Sequence, residues 1–192
     1  GYLRWYEEHQ RLQESLAAQA GFAAHSSQTL FQDLGRALAL LANRREAGAP
    51  RPAVLEQRFR RFLKAFPRLS GLRAYHPDGR LLAEAHRGEG RTASRGPAGA
   101  RARAASHWGL ESDDGLGGFH LHPSRSCRSG EGWCIPVRRA VDWGRDGLLL
   151  EAVVPVAYLS RIWRGLELAS GASVGLLRDD FRHQARWPAP EP

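Results

Sequence analysis

Residues 133–141 read WCIPVRRAV, residues 148–156 read LLLEAVVPV, and DWGRDG joins them. In the first run, side chains alternate. Ile135, Val137, Arg139 and Val141 fall on one face, and Pro136, Arg138 and Ala140 on the other. Arg139 therefore shares a face with three apolar residues. The second run is almost continuously apolar, which predicts a central strand covered on both sides. Next, AYLSRIWRGLEL over 157–168 predicts a helix that turns Leu159, Ile162, Trp163 and Leu166 inward. ASVGLLRDD over 172–180 predicts a further strand, and the pattern ends at Ala185, Arg186, Trp187 and Pro188. This stretch holds no nucleophile–base pair, no phosphate-binding loop and no metal-ligand spacing of the usual kinds.

Working outward, the chain has no proline from Tyr2 to Glu46, and apolar residues recur there at helical spacing. Leu12 and Leu16 lie one turn apart, and Leu30, Leu34, Leu38 and Leu41 continue the stripe. A long amphipathic helix is expected, with Gly21 and Gly35 as weak points and a kink at His25-Ser26-Ser27. Its first part is polar around most of its circumference, as suits a projecting stalk that pairs with a twin. Residues 1–48 are accordingly assigned to a stalk and dimerisation helix, and residues 49–192 to a single module. Ala49-Pro50-Arg51-Pro52 breaks the helix. A second one carries Leu55, Phe59, Phe62, Leu63 and Phe66 on one face and stops at Pro67. Two strands around Pro77-Asp78-Gly79 read as a hairpin, since proline fixes φ early in the turn and glycine supplies positive φ. Residues 87–105 turn to Gly, Ala, Arg and Ser and read as a long loop. His107 and Trp108 restore aromatic character, and Leu116 to His122 reads as a strand. The order of elements predicts an α+β fold, a mostly antiparallel sheet backed by the long N-terminal helix.

Composition narrows the function classes. The 192 residues suffice for one core. The formal net charge is +8, carried almost wholly by arginine because Lys64 is the only lysine. The arginines are dispersed and no basic motif interleaved with aromatics appears, so nucleic acid is not the expected partner. No apolar run is long enough to span a bilayer. The chain starts at Gly1 and contains no methionine. It reads as a piece of a longer protein, with membrane spans expected outside it. Cys127 and Cys134 frame the polar loop SRSCRSGEGWC. Either they form a disulfide, which Gly130 and Gly132 favour, or they are two buried thiols. A metal site joining them to His120 and His122 is not expected, because the cysteine spacing is too wide for a zinc knuckle. No cofactor motif is present. An esterase, metalloprotease or Cys–His signature is likewise missing, so an enzyme is not expected.

The ordered motifs Ser129-Gly130, Trp133, Ile135, Val137, Arg139, then Asp146-Gly147, the strand Leu148 to Val156, Tyr158-Leu159, Gly171, Ser173-Val174, Leu176-Leu177-Arg178-Asp179, and Ala185-Arg186 with Pro188 resemble the periplasmic sensor domains of the PDC/Cache type. These are PAS-like extracytoplasmic modules of bacterial receptors, including GGDEF-type diguanylate cyclases and histidine kinases. Phe66-Pro67-Arg68-Leu69 and Tyr75 to Arg80 are similar to the first hairpin of such domains. There are departures: Glu151 stands where such domains often have glycine, and Asp180 replaces the usual turn glycine. The resemblance implies a periplasmic domain of an inner-membrane protein, a homodimer through the N-terminal helix and a small-molecule ligand. It also suits a disulfide between Cys127 and Cys134. A guanidinium on an apolar face needs an anionic partner. Arg139 is thus the first candidate for a ligand contact, with Trp133, Trp108, His107 and Tyr75 as pocket walls and a small anion as ligand. The competing expectation for Arg139 is an internal salt bridge to Asp180, Glu151 or Asp142. The competing functions are a dimerisation or protein-interaction module without a small ligand, a polyanion-binding domain and a hydrolase.

Overall fold

The computed structural model describes residues 2–42, 51–87, 119–128, 132–142, 147–168, 170–177 and 181–188. The chain divides into two compact units: residues 1–31 with 156–192, and residues 32–155.

The larger unit is built on an antiparallel sheet. Its strands are β1 (Gly71–Tyr75), β2 (Leu81–His86), β3 (Phe119–Leu121), β4 (Arg125–Ser126), β5 (Trp133–Val141) and β6 (Leu148–Pro155). They lie in the order β2-β1-β6-β5-β3, with β4 also paired to β5. The apolar run thus forms a central strand over Leu148–Pro155, with Val156 already opening the next helix; it is flanked by β1 and β5 and buried over Leu148 to Val154. The β1–β2 hairpin closes through the expected Pro77-Asp78-Gly79 turn. There the Gly79 N–H donates to the His76 carbonyl at 2.8 Å, and Gly79 adopts φ 84°. Glycine reaches this left-handed conformation at no steric cost.

Strand alternation gives this sheet two unlike faces. Leu72, Ala74, Ile135, Val137, Leu150, Ala152 and Val154 share the apolar face, each fully shielded from solvent. Helix α2 (Pro52–Ala65) packs on β1 and β2, burying Leu55, Phe59 and Leu63. Each fully buried Leu or Phe contributes about 1.5–3 kcal/mol of transfer free energy. Phe62 and Phe66, expected on the same face, stack on each other with ring centroids 4.2 Å apart. The N-terminal helix α1 runs unbroken from Tyr2 to Ala42. Its residues 32–42 belong to the larger unit and bury Leu34, Ala37 and Leu38. Gly35 lets this segment approach the sheet closely, since a Cβ there would stand 2.8 Å from Phe119 Cδ1.

The smaller unit contains residues 2–31 of α1, helix α3 (Val156–Trp163) and a hairpin of β7 (Val174–Leu177) with β8 (His183–Trp187). Residues 2–18 of α1 are exposed throughout. The helix continues through His25-Ser26-Ser27, where the Ser26 hydroxyl donates to the Phe22 carbonyl one turn back at 2.8 Å. Helix α3 is shorter than the pattern 157–168 predicts and gives way to turns at Arg164-Gly165, where glycine weakens helical continuation. Leu159 and Trp163 are its buried residues. The sequence reading placed a strand near Val174 but did not pair it. In the structure it forms a separate two-stranded sheet with His183 to Trp187. Among the described residues, no helix is long and apolar enough to cross a membrane.

Candidate functional site: a row of charges across the sheet

The second sheet face carries charge. Cross-strand register places Glu84 of β2 opposite Arg73 of β1, Arg73 opposite Glu151 of β6, Glu151 opposite Arg138 of β5, and Arg138 opposite His120 of β3. Directly opposed side chains lie on one face at close range. The result is one row of alternating sign, two acids and two guanidiniums ending in an imidazole.

Glu151 is its centre, with a side chain wholly removed from solvent. Its Oε1 accepts from Arg73 Nη1 at 3.1 Å and from Arg125 Nη2 at 2.6 Å, and its Oε2 accepts from Arg138 Nε at 2.7 Å. Burial alone would raise its pKa; the surrounding guanidiniums outweigh that and hold the carboxyl below the usual range. Glu84 behaves alike. Burial raises it, but the hydrogen bond from Arg128 (2.9 Å) and contact with His86 (3.3 Å) leave its pKa lowered. Arg73 bridges the two acids, with Nε 3.4 Å from Glu84 Oε2. Burial works against its charged form, yet nearby negative charge raises its pKa on balance. Both acids are therefore held as carboxylates.

Tyr75, two residues along β1 from Arg73, points to the same face. It is 6% exposed, and the Arg138 guanidinium carbon lies 5.8 Å from its ring centroid. Burial and the neighbouring Glu151 carboxylate raise the phenol pKa, so the hydroxyl keeps its proton. Arg125 reaches the row from β4, a two-residue strand held against β5 by Arg125–Cys134 and Ser126–Trp133 pairing. A disulfide joins Cys127 to Cys134, Cα–Cα 5.1 Å, and packs with Val153.

Arg139 takes a different place from its neighbour. It faces the helix side of the sheet, where its Nη1 donates to the Gly35 carbonyl of α1 at 2.9 Å. Of the carboxylates considered for it, Glu151 is bonded to Arg138, on the other face. Asp142 is exposed, and Asp180 lies outside the described residues. Trp133 opens β5 and is 58% exposed. Of the candidate wall residues, Tyr75 is the one brought into the charge row. Trp108 and His107 fall outside the described residues. Reading the sequence missed Arg138, Arg73, Arg125 and Glu84, and it took Glu151 for one partner among three. The available signal was Glu151 itself, the single charge inside the apolar run 148–156. An ionised carboxylate in a central strand must find cations on the strands beside it.

The fold, an antiparallel sheet with a long N-terminal helix, is PAS-like and is shared with solved sensory domains. The sensory domain of the Campylobacter jejuni chemoreceptor Tlp3 (CcmL) superposes with a TM-score of 0.61 at 11% identity, over 95% of this chain and 73% of that one. An extracellular domain assigned to a histidine kinase, rpHK1S-Z16, matches with a TM-score of 0.59 at 18% identity, over 98% of this chain and 73% of that one. The ligand-binding domain of the Pseudomonas aeruginosa PAO1 amino acid chemoreceptor PctC, solved with GABA, matches with a TM-score of 0.53 at 12% identity, over 93% and 74%. The Tlp3 domain has also been solved with L-valine. No protein-family model matches the sequence, and no curated protein does so.

Proposed function

We propose that this chain is the extracytoplasmic, non-catalytic sensing domain of a transmembrane signalling protein. It binds a small ligand on the charged face of its sheet and signals through α1 to a cytoplasmic output domain, either a histidine kinase or a cyclic-di-GMP synthase. Support comes from the sensory domains that share its fold. The observation that carries the reading is the arrangement of two consecutive residues of β5. Arg138 contacts Tyr75 and Glu151 on one face, and Arg139 holds the Gly35 carbonyl of α1 on the other. A ligand that draws on Arg138 shifts β5, and Arg139 delivers that shift to the helix. Ligand contact thus belongs to Arg138 and Tyr75, and Arg139 serves as the coupling residue. Membrane spans lie outside this chain, and the compartment is the periplasm.

Dimerisation through α1 belongs to the same proposal. Tyr2, Trp5, His9, Leu12 and Leu16 follow the alternating three- and four-residue spacing of a coiled-coil seam. All five are exposed in the single chain, and Trp5 stacks on His9 at 5.2 Å. A thermal-shift screen of amino acids and carboxylic acids tests the sensing role. A compound should stabilise the wild type and Arg139→Ala but not Arg138→Ala. In the intact receptor, Arg139→Ala should then abolish output while binding persists. A stabilising compound indifferent to Arg138→Ala, or a screen with no stabilising compound, would refute the proposal.

A further inference from the structure

At the β2 edge of the sheet, one ring nitrogen stands between a cation and an anion. His86 ends β2 opposite Gly71 of β1, with its side chain 8% exposed. Gly71 seats the imidazole, since a Cβ there would stand 2.5 Å from His86 Nδ1. The other nitrogen, Nε2, lies 3.2 Å from Arg128 Nη1 and 3.3 Å from Glu84 Oε2. A guanidinium only donates and a carboxylate only accepts, so Nε2 can serve one of them at a time. We infer that His86 is a proton-operated switch. Neutral, it accepts from Arg128; protonated, it donates to Glu84 and confronts Arg128 with a like charge.

Among the described residues, three charged groups face the ring. Glu84 comes from its own strand, Arg73 of β1 meets the same Glu84 oxygen at 3.4 Å, and Arg128 follows β4 and holds the other Glu84 oxygen at 2.9 Å. Helix α2 packs on the opposite face of β2, where Ala83 and Ala85 are buried. Its Glu56, Arg58, Arg60, Arg61 and Lys64 belong to that side. So does Arg87, which donates to the Leu63 and Phe66 carbonyls at the end of α2. Protonation thus makes the imidazolium and Arg128 rivals for one carboxylate, and like charges at hydrogen-bond range repel. The effect reaches the sheet centre by a short route. Arg128 follows Cys127, whose disulfide to Cys134 holds β4 against β5, and β4 carries Arg125 to Glu151. Acid therefore loosens the β2 anchor of the segment that presents Arg125. Imidazole is the side chain whose ordinary titration range spans neutrality. Resting on the sensor reading above, acidity outside the membrane is then a second input to the domain.

Proton–nitrogen NMR of the whole chain, titrated between about pH 5 and 8, tests the switch. The His86 signals are assigned by their loss in His86→Gln. Nε2 should titrate within that window. The Arg128 side-chain Nε–H should shift with the same midpoint in the wild type and hold still in His86→Gln. Arg128→Gln keeps polarity but removes the cation that opposes protonation, and should raise the His86 midpoint by about 0.5–1 pH unit. A ring that keeps one charge state throughout, an Arg128 that does not follow it, or a midpoint unmoved by Arg128→Gln would each overturn the switch. In the intact receptor without added ligand, output should change at least about two-fold between about pH 5.5 and 7.5 and stay level in His86→Gln. Level output in the wild type would overturn the acid input and leave the sensor reading standing, since the ligand screen decides that separately.

Discussion

Replacing Glu151 by glutamine should be among the most damaging single changes in the sheet. The substitution keeps volume and one acceptor oxygen but removes the negative charge. Arg73 and Arg138, 18% and 14% exposed, are then left in the row without the carboxylate that both contact. Removing one member of a buried ion pair typically costs about 3–5 kcal/mol, because the remaining charge stays desolvated. Arg125 is 42% exposed and can turn into water, so it adds little to the loss. At roughly 2–4 °C per kcal/mol for a chain of this size, the melting temperature should fall by about 6–20 °C. Urea denaturation followed by circular dichroism gives the free energy, and an unchanged m-value would show that the denatured state is unaltered. The double variant Glu151→Gln/Arg138→Ala should recover part of the loss, since the stranded cation is gone as well. A cost for Glu151→Gln below about 1 kcal/mol would refute the reasoning, because a solvated or idle carboxylate is the case that gives such a value.

The other expectations are simpler to check. Both acids of the row have lowered folded-state pKa values. Their contribution is fully present above the unfolded carboxyl range and is lost as pH falls through the folded pKa values. Stability should therefore decline below about pH 4.5, with a shallower decline in Glu151→Gln. Two glycines of α1 should respond in opposite directions to alanine. Gly21→Ala, with nothing within 4 Å of the new Cβ, should stabilise by up to about 1 kcal/mol. Gly35→Ala, 2.8 Å from the Phe119 ring, should destabilise by about 1–3 kcal/mol in the same denaturation assay. Replacing Cys127 and Cys134 by serine opens a short loop and should cost about 2.5 kcal/mol. The same melt under reducing conditions should reproduce that loss in the wild type and leave the double variant unmoved.

What the sequence made legible was set by the range of the interactions involved. The β1–β2 hairpin, the second helix and the central strand rest on local signals: Pro77-Asp78-Gly79, the apolar spacing of Leu55, Phe59 and Leu63, and the unbroken run around Leu150. Alternation also placed Arg138 and Arg139 on opposite faces without any coordinates. It could not say which face meets the helix, because that depends on where Gly35 packs, 104 residues away in sequence from the arginine that bonds to it. Nor could it pair Arg73 with Glu151, a separation of 78 residues fixed only by strand order and register. Arg139 drew attention because it stood among apolar residues on its own strand. The more telling charge was Glu151, whose partners are dispersed over three other strands and carry no shared local pattern.

Stability alone does not account for a buried row of this kind, since well-packed apolar residues of similar volume often serve as well or better than an internal ion cluster. Register offers a physical account. Sliding β6 by two residues against β1 would leave the apolar alternation intact, so hydrophobic burial discriminates poorly against that slip. The charges discriminate strongly. Such a shift sets Glu151 opposite Gly71 or Tyr75 in place of Arg73, and a matching slip against β5 sets it opposite Pro136 or Ala140 in place of Arg138. Each misalignment strands an ionised carboxylate in a central strand, the costliest error available to this sheet. The same requirement bears on function. A sheet whose register is locked by Glu151 holds Arg138 and Tyr75 at fixed positions on the proposed ligand side and Arg139 at a fixed position against Gly35 of α1. Small displacements of β5 can then pass to the helix without dissipating in strand slippage. Apolar replacement of the whole row, Arg73→Leu/Arg138→Leu/Glu151→Leu, separates the two roles: it should preserve or raise the melting temperature yet lose ligand-dependent output. Retained output in that variant would show that the row contributes neither register nor response.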